Sequence, residues 1–539
     1  MSVVEDAVGA VPEALWPATA VLVPLLAAVA LLVADRFPRP PGPRASRAVA
    51  VTAALLAAVA TVVTVWRRPE TELAWIPSLG VRLDTAVDGI SAPLLLLTAV
   101  VGVVAVALPY HRPLTDPPPS LGRRRGSREG SDREVTAPLP EDAVGAPRSL
   151  ATYYACLLLV TGGALLAFLT RDAVVFFVAF EIVLVPMWVL VARHGDAVRA
   201  AGRDGAALRF VLVTATGSTL MLVGILALAT ATGTTDLGRW AELAGSSMTP
   251  GTQLAVAALL LLGLGLKVPV WPLHTWLPWV HATAPTAGSV LLAAVLLKLG
   301  VYGIIRLAVA GVPGGFTALS PLLAGLAVTG TVWAGLACLV EPDLKRLIAW
   351  SSVAHLGFVV LALATGTQVG LQAAVYGNVA HGLVSALLFV VVGELKHQWG
   401  GADLRTARAA LREAAPRLGF LLVVGMAAAM GLPGLATFWG EFGALYAAWS
   451  PDPSRPGGWF RVFAVVAALG AVLAAAYTVR VLREVWSGDR RTPAVADARG
   501  VTWVAGAVLS ALVVGLGVYP VALTELSWPA VAWLTGAGR

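Results

Sequence analysis

The stretch KVPVWPLHTWLPWVHATAPTAGSVLLAAVLLKLGVYGIIRL, residues 267–307, decides the fold. It places two lysines, Lys267 and Lys298, inside runs far too apolar for a water-facing surface. An ionisable group at the centre of a bilayer costs roughly 2.5–3.5 kcal/mol on insertion scales, so such a group marks a functional pathway. Pro269 and Pro272 follow Lys267 at once. Proline removes a backbone donor and clashes with the preceding turn, which breaks a helix. Within a membrane the freed carbonyls are tolerated only where protein or water meets them. Buried lysines beside a broken helix therefore read as an ion pathway through a membrane helix bundle.

Composition agrees. Of 539 residues, 58% are hydrophobic and only 13% are charged, against roughly 25% charged in soluble domains. A soluble protein of this length could not cover its surface with so few charges. The net charge of +7 does not signal nucleic-acid binding, because the arginines lie scattered between apolar runs. Cys156 and Cys338 both sit in apolar segments without any CxxC or zinc spacing, which excludes a disulfide framework or an iron–sulfur cluster on this chain. The N-terminal MSVVEDAVGAVPEALW lacks a basic n-region, so the first apolar segment is expected to be a retained helix.

Fourteen segments are long and apolar enough to cross a bilayer: 15–34, 48–66, 86–109, 149–170, 173–192, 207–231, 252–273, 286–308, 318–340, 345–365, 370–395, 417–449, 460–484 and 501–521. With the N-terminus outside, the inside connections hold 27 Lys and Arg and the outside ones 9. That bias predicts fourteen helices with both termini outside. The expected organisation is 1–109 (three N-terminal helices), 110–148 (a disordered, Pro- and Arg-rich cytoplasmic insertion), 149–308, 318–485 and 500–539 (a C-terminal helix). The seventh span is broken at Pro269 and Pro272, the twelfth at Pro433. Breaks at corresponding places in 149–308 and 318–485 point to two inverted five-helix repeats. The fold class is thus an all-α polytopic membrane protein.

Four charged residues stand out deep within spans: Glu181, Lys267, Lys298 and Glu441. His355 and His381 lie on the tenth and eleventh spans. His274 and His281 follow Lys267 at seven-residue spacing, which on a continuous helix would share one face and makes them secondary candidates. The choice of cation carries chemistry. The chain has four lysines, and arginine supplies every other cation among its 38. Yet both cations placed mid-span are lysine. Arginine is effectively never deprotonated, whereas a buried lysine can lose its proton. A proton relay needs a group that can. Lys345 is expected to be a cytoplasmic anchor and Lys396 a headgroup or loop contact. Glu441 could lie near a helix end and snorkel.

The 267–307 block resembles the signature of the antiporter-like membrane subunits of proton-pumping NADH:quinone oxidoreductase, respiratory complex I. LDTAVDGIS (83–91), DLKRLIAWSSVAHLGF (343–358), AHGLVSALLF (380–389), LPGLATFWGEF (432–442) and GVYP (517–520) extend the likeness over most of the chain, and within the family it is most similar to the M type. The segment 110–148 departs from the family, where a shorter connection is expected.

The resemblance implies a role for each residue. Glu181 would pair with Lys267, Lys298 would relay, His355 and His381 would lie on a central polar axis, and Glu441 would exchange protons with the opposite side. It also implies no metal and no cofactor on this chain. NADH, FMN, iron–sulfur clusters and quinone would belong to partner subunits, and the neighbours would be L-type and N-type paralogues in a bacterial cytoplasmic membrane. The alternative is a subunit of a multisubunit cation/proton antiporter or of a membrane-bound hydrogenase-type complex, since these share the 267–307 motif.

Overall fold

The computed structural model describes residues 12–38, 40–111, 149–196, 202–404, 410–488 and 495–536. The expected disordered insertion lies almost wholly outside the described residues. Among those described, twelve helices are long and apolar enough to cross a membrane. They are α1 (Leu15–Ala34), α2 (Pro43–Arg67), α4 (Leu150–Leu169), α5 (Ala173–His194), α6 (Gly202–Thr232), α8 (Pro250–Lys267), α10 (Thr286–Val309), α11 (Pro313–Val340), α12 (Leu344–Ala364), α13 (Gln368–Trp399), α16 (Gly457–Trp486) and α17 (Gly500–Val518). The shorter α3 (Ser91–Ala107) supplies a thirteenth pass. Two half-helices, α14 (Pro416–Ala429) and α15 (Ala436–Trp449), make the fourteenth. The chain is a multi-pass membrane protein.

Other elements decorate the two ends. A β1–β2 hairpin (Ala74–Ile76, Val81–Arg82) marks one end, here the hairpin end. The surface helix α7 (Leu237–Ser247) lies at the same end. Tyr110, His111 and Ser149, which flank the insertion, mark the opposite, insertion end. The region 500–539, expected to be one helix, forms two: α17 stops at Tyr519 and Pro520, and α18 (Val521–Leu534) follows. Proline at 520 has no N–H with which to continue α17.

Short capped connections stitch the spans together. Asp172 accepts hydrogen bonds from the N–H groups of Val174 and Val175 at the start of α5. The same carboxylate takes the N–H of Arg82 at 3.1 Å and the hydroxyl of Thr235 at 2.5 Å, tying hairpin, α5 and the α6–α7 turn together. Asp343 caps α12 and Thr367 caps α13. Each cap satisfies N–H groups that a helix start leaves orphaned.

Burial sorts the helices into an inner and an outer set. In α10, α12 and α13, 94% of the most apolar stretch is buried by protein, against 33% in α1 and α16. The outer helices turn Leu22, Leu56, Val62, Trp333, Val465 and Val472 outwards, as a lipid-facing surface requires. The inner helices are those that carry Lys298, His355 and His381.

Both expected breaks are present. The helix before the first break ends at Lys267, and a short α9 (Leu277–Thr283) follows. Carbonyls freed there are met by protein: the Trp276 indole N–H donates to Leu266 O at 2.9 Å, and Val270 N–H to Gly265 O at 2.9 Å. At the second break, Gly431 and Gly434 take φ of +74° and +88°, a region that costs other residues roughly 1–2 kcal/mol. The Thr437 hydroxyl caps Ala428 O across that gap.

Candidate functional site

The site is built from the two broken spans, the buried helices between them, and α5, α6 and α16 beside them. Lys267 is the last residue of α8, set at the break, and is 4% exposed. Its Nζ donates to Ser218 Oγ on α6 at 2.7 Å, and the Ser218 hydroxyl donates to Glu181 Oε1 on α5. The expected Glu181–Lys267 pair is therefore bridged by a serine. The ammonium also lies 3.8 Å from the centre of the Phe180 ring, a cation–π contact that favours the charged form.

Lys298 is wholly buried. It stands in a short α-helical turn of α10 between π-helical stretches at Leu292–Leu296 and Ile304–Val309. Wide turns leave carbonyls with spare hydrogen-bonding capacity, and Lys298 Nζ donates to Ala293 O at 2.9 Å. Its other partner is His381 Nδ1 on α13. The rings of His381 and His355 lie 5.9 Å apart between centres. His355 Nδ1 lies 2.6 Å from Glu441 Oε1, and His355 Nε2 lies 3.2 Å from the Tyr477 hydroxyl. Glu441 sits six residues into α15 and is 9% exposed, so it does not snorkel to a surface.

Six expected site residues thus fall into two groups: Glu181–Ser218–Lys267, and Lys298–His381–His355–Glu441. No hydrogen bond joins the groups among the described residues. Glycine brings them close: a Cβ at Gly300, two residues past Lys298, would lie 2.7 Å from Val268 Cγ2 and 3.4 Å from Lys267 Cβ.

Neither secondary candidate is hydrogen-bonded to this row among the described residues, although His281 lies close enough to Lys298 and His381 to feel their charges. His274 packs against Trp350 with ring centres 5.3 Å apart, and His281 stacks on Phe389 at 4.5 Å. Neither ring nitrogen of His281 has a hydrogen-bond partner among the described residues. Their shared face was expected on a continuous helix. The chain leaves the helix directly after Lys267, so the seven-residue spacing loses its meaning. Lys345 is not the exposed anchor expected of it, while Lys396 does make a loop contact. Lys345 is 1% exposed and donates to Ala284 O, because the end of α9 folds over the start of α12. Lys396 pairs with Asp196 at 2.7 Å and donates to Ala282 O at 2.9 Å.

Sequence reasoning missed Ser218 and Tyr477. A neutral hydroxyl carries no insertion penalty large enough to single it out. The available signal was their position on α6 and α16, which pack against α8 and α11.

Buried acids, amines and imidazoles, several of them hydrogen-bonded to one another inside a polytopic helix bundle, define a membrane protein with an internal row of titratable groups. The chain belongs to the family of membrane subunits described as NADH:quinone oxidoreductase/Mrp antiporter, which matches residues 170–470. It is 32% identical over 490 residues to NADH-quinone oxidoreductase subunit M of Pseudomonas aeruginosa, covering 87% of each protein. It is 31% identical over 430 residues to the subunit of the same name in Escherichia coli K12, covering 78% of this chain and 76% of that one. A chain of respiratory complex I from Thermus thermophilus superposes with a TM-score of 0.79 at 25% identity, covering 98% of this chain and all of that one. A chain of the Mrp complex from Dietzia sp. DQ12-45-1b shares the fold, with a TM-score of 0.76 at 22% identity over 97% and 98% of the two chains.

Proposed function

We propose that this chain is the M-type proton-translocating subunit of a bacterial NADH:quinone oxidoreductase, set in the cytoplasmic membrane with the hairpin end and both termini outside. The observation that carries the reading is the Lys298–His381–His355–Glu441 row, which runs from the centre of α10 to the break before α15. Every member can gain or lose a proton. Subunit M relatives above 30% identity over most of the chain favour this reading over the cation/proton antiporter alternative.

The mechanism follows from the charges. While Glu181 and Lys267 are joined through Ser218, the carboxylate favours the ammonium form. Moving the carboxylate away makes Lys267 easier to deprotonate, and its proton passes towards Lys298. From Lys298 it crosses His381 and His355 to Glu441, and then leaves at the hairpin side. Moving one charge against the membrane potential costs about 2.3 kcal/mol per 100 mV. A change of roughly two pKa units at one group matches that load. Redox chemistry with NADH, FMN, iron–sulfur clusters and quinone takes place on partner subunits. L-type and N-type paralogues are the expected membrane neighbours.

Affinity purification of the tagged chain from its native membrane tests the assignment. NADH:quinone oxidoreductase activity is expected to copurify. A preparation that exchanges cations for protons and oxidises no NADH contradicts it.

A further inference from the structure

A cavity of about 400 Å³ opens at the hairpin end of α10, lined in part by Asp88, Arg171, Arg239, Tyr302, Arg306 and Trp533. That is room for roughly thirteen waters at their liquid volume. Tyr302 and Arg306 stand one and two turns beyond Lys298. Four and eight residues on, they lie towards the same face of the helix, and Arg306 is only ~12 Å further along its axis. Protons gathered in the cavity, where Asp236 and Glu242 also reach the wall, would thus stand two turns from the relay lysine. A subunit that pumps protons outwards cannot leave that short cut open.

We propose that the Asp88–Arg306 ion pair plugs this end of α10 against protons, so that Lys298 exchanges them only along the row that ends at Glu441. The inference rests on the proton-translocating reading above. Arg306 donates to Asp88 Oδ2, while Asp88 Oδ1 accepts the N–H groups of Ile90 and Ser91, each at 2.9 Å. Both carboxylate oxygens are thereby engaged. Guanidinium does not give up a proton in proteins, and its charge disfavours a proton on the adjoining Asp88 carboxylate, so the pair is a poor proton carrier. A fixed positive charge on the wall of this cavity also repels protons, as an arginine does in water-selective pores.

The pair is braced from three sides. The guanidinium lies 4.9 Å from the centre of the Tyr302 ring, and the Tyr302 hydroxyl donates to Phe168 O at 3.4 Å. On the third side the loop that carries Asp88 is clamped by α18: a Cβ at Gly89 would fall 2.5 Å from Leu526 O. Arginine here also departs from the lysines chosen inside the relay. A titrating group serves at positions 267 and 298, and a group that never titrates serves at 306.

The test uses the whole complex reconstituted in proteoliposomes, without NADH, with an imposed pH gradient and valinomycin-clamped potassium. Arg306→Gln is expected to collapse the gradient roughly tenfold faster than the parent, the effect of lowering a barrier by 1.36 kcal/mol. If that variant does not assemble, Arg306→His replaces it. Imidazole can still bond Asp88 but titrates, so a leak that grows as the outer solution is acidified is expected. An assembled variant that holds the gradient as well as the parent overturns the inference. Failure of the pumping assignment is read separately, from the proton yield of NADH oxidation in the parent.

Discussion

His355 Nδ1 lies 2.6 Å from Glu441 Oε1, joining α12 to the half-helix that follows the second break. This contact makes the end of the row a carboxylate–imidazole couple. An ionised Glu441 favours a proton on Nδ1, which leaves Nε2 to accept the Tyr477 hydroxyl at 3.2 Å.

Glu441→Gln keeps the shape and removes the proton acceptor. Positioned proton-transfer groups contribute roughly 10²–10⁴-fold, so the proton yield is expected to fall to background. Fluorescent-dye quenching in inverted vesicles measures it, and unchanged quenching would remove Glu441 from the path.

Tyr477→Phe deletes one buried hydrogen bond to His355, worth about 1 kcal/mol. With both tautomers then open to His355, the expected result is a several-fold slower coupled rate and a displaced pH–rate profile. A rate loss with an unmoved profile would assign Tyr477 to packing alone.

Ser218→Ala removes the bridge between Lys267 and Glu181. The ammonium then either meets the carboxylate directly or loses it. In both cases the switch is displaced, and pumping is expected to fall several-fold while Ser218→Thr restores it. Equal pumping in the alanine and threonine variants would deny the hydroxyl a part.

Gly431→Ala strains the second break. The residue has φ of +74°, and its Cβ would approach Glu441 Oε2 to 2.7 Å. About 1–2 kcal/mol of backbone cost comes with a displaced carboxylate. Both lower thermal stability and lower proton yield are expected, read by a melting curve and by vesicle acidification.

The charged members of the site were legible in the sequence because the bilayer makes them costly. Glu181, Lys267, Lys298 and Glu441 each interrupt an apolar run, and nothing in a soluble reading excuses them. Ser218 and Tyr477 were not legible, since hydroxyl side chains are cheap in any helix and gain meaning only from a partner across the bundle. Lys345 misled for a related reason. It follows Glu341, Pro342 and Asp343, a polar opening that reads as a surface, while its burial depends on α9 folding back over it. The breaks were legible from Pro269, Pro272 and Pro433. The turn of chain after Lys267, which takes His274 and His281 off the helix that carries Lys267, depends on how the two halves of that span pack and leaves no periodic trace.

The central claim is that protons cross this chain through its buried lysines. The most direct measurement is the number of protons translocated per NADH oxidised by the intact complex carrying Lys267→Ala. An assembled complex that contains this chain and has lost pumping is expected. A normal proton yield in that variant would contradict it.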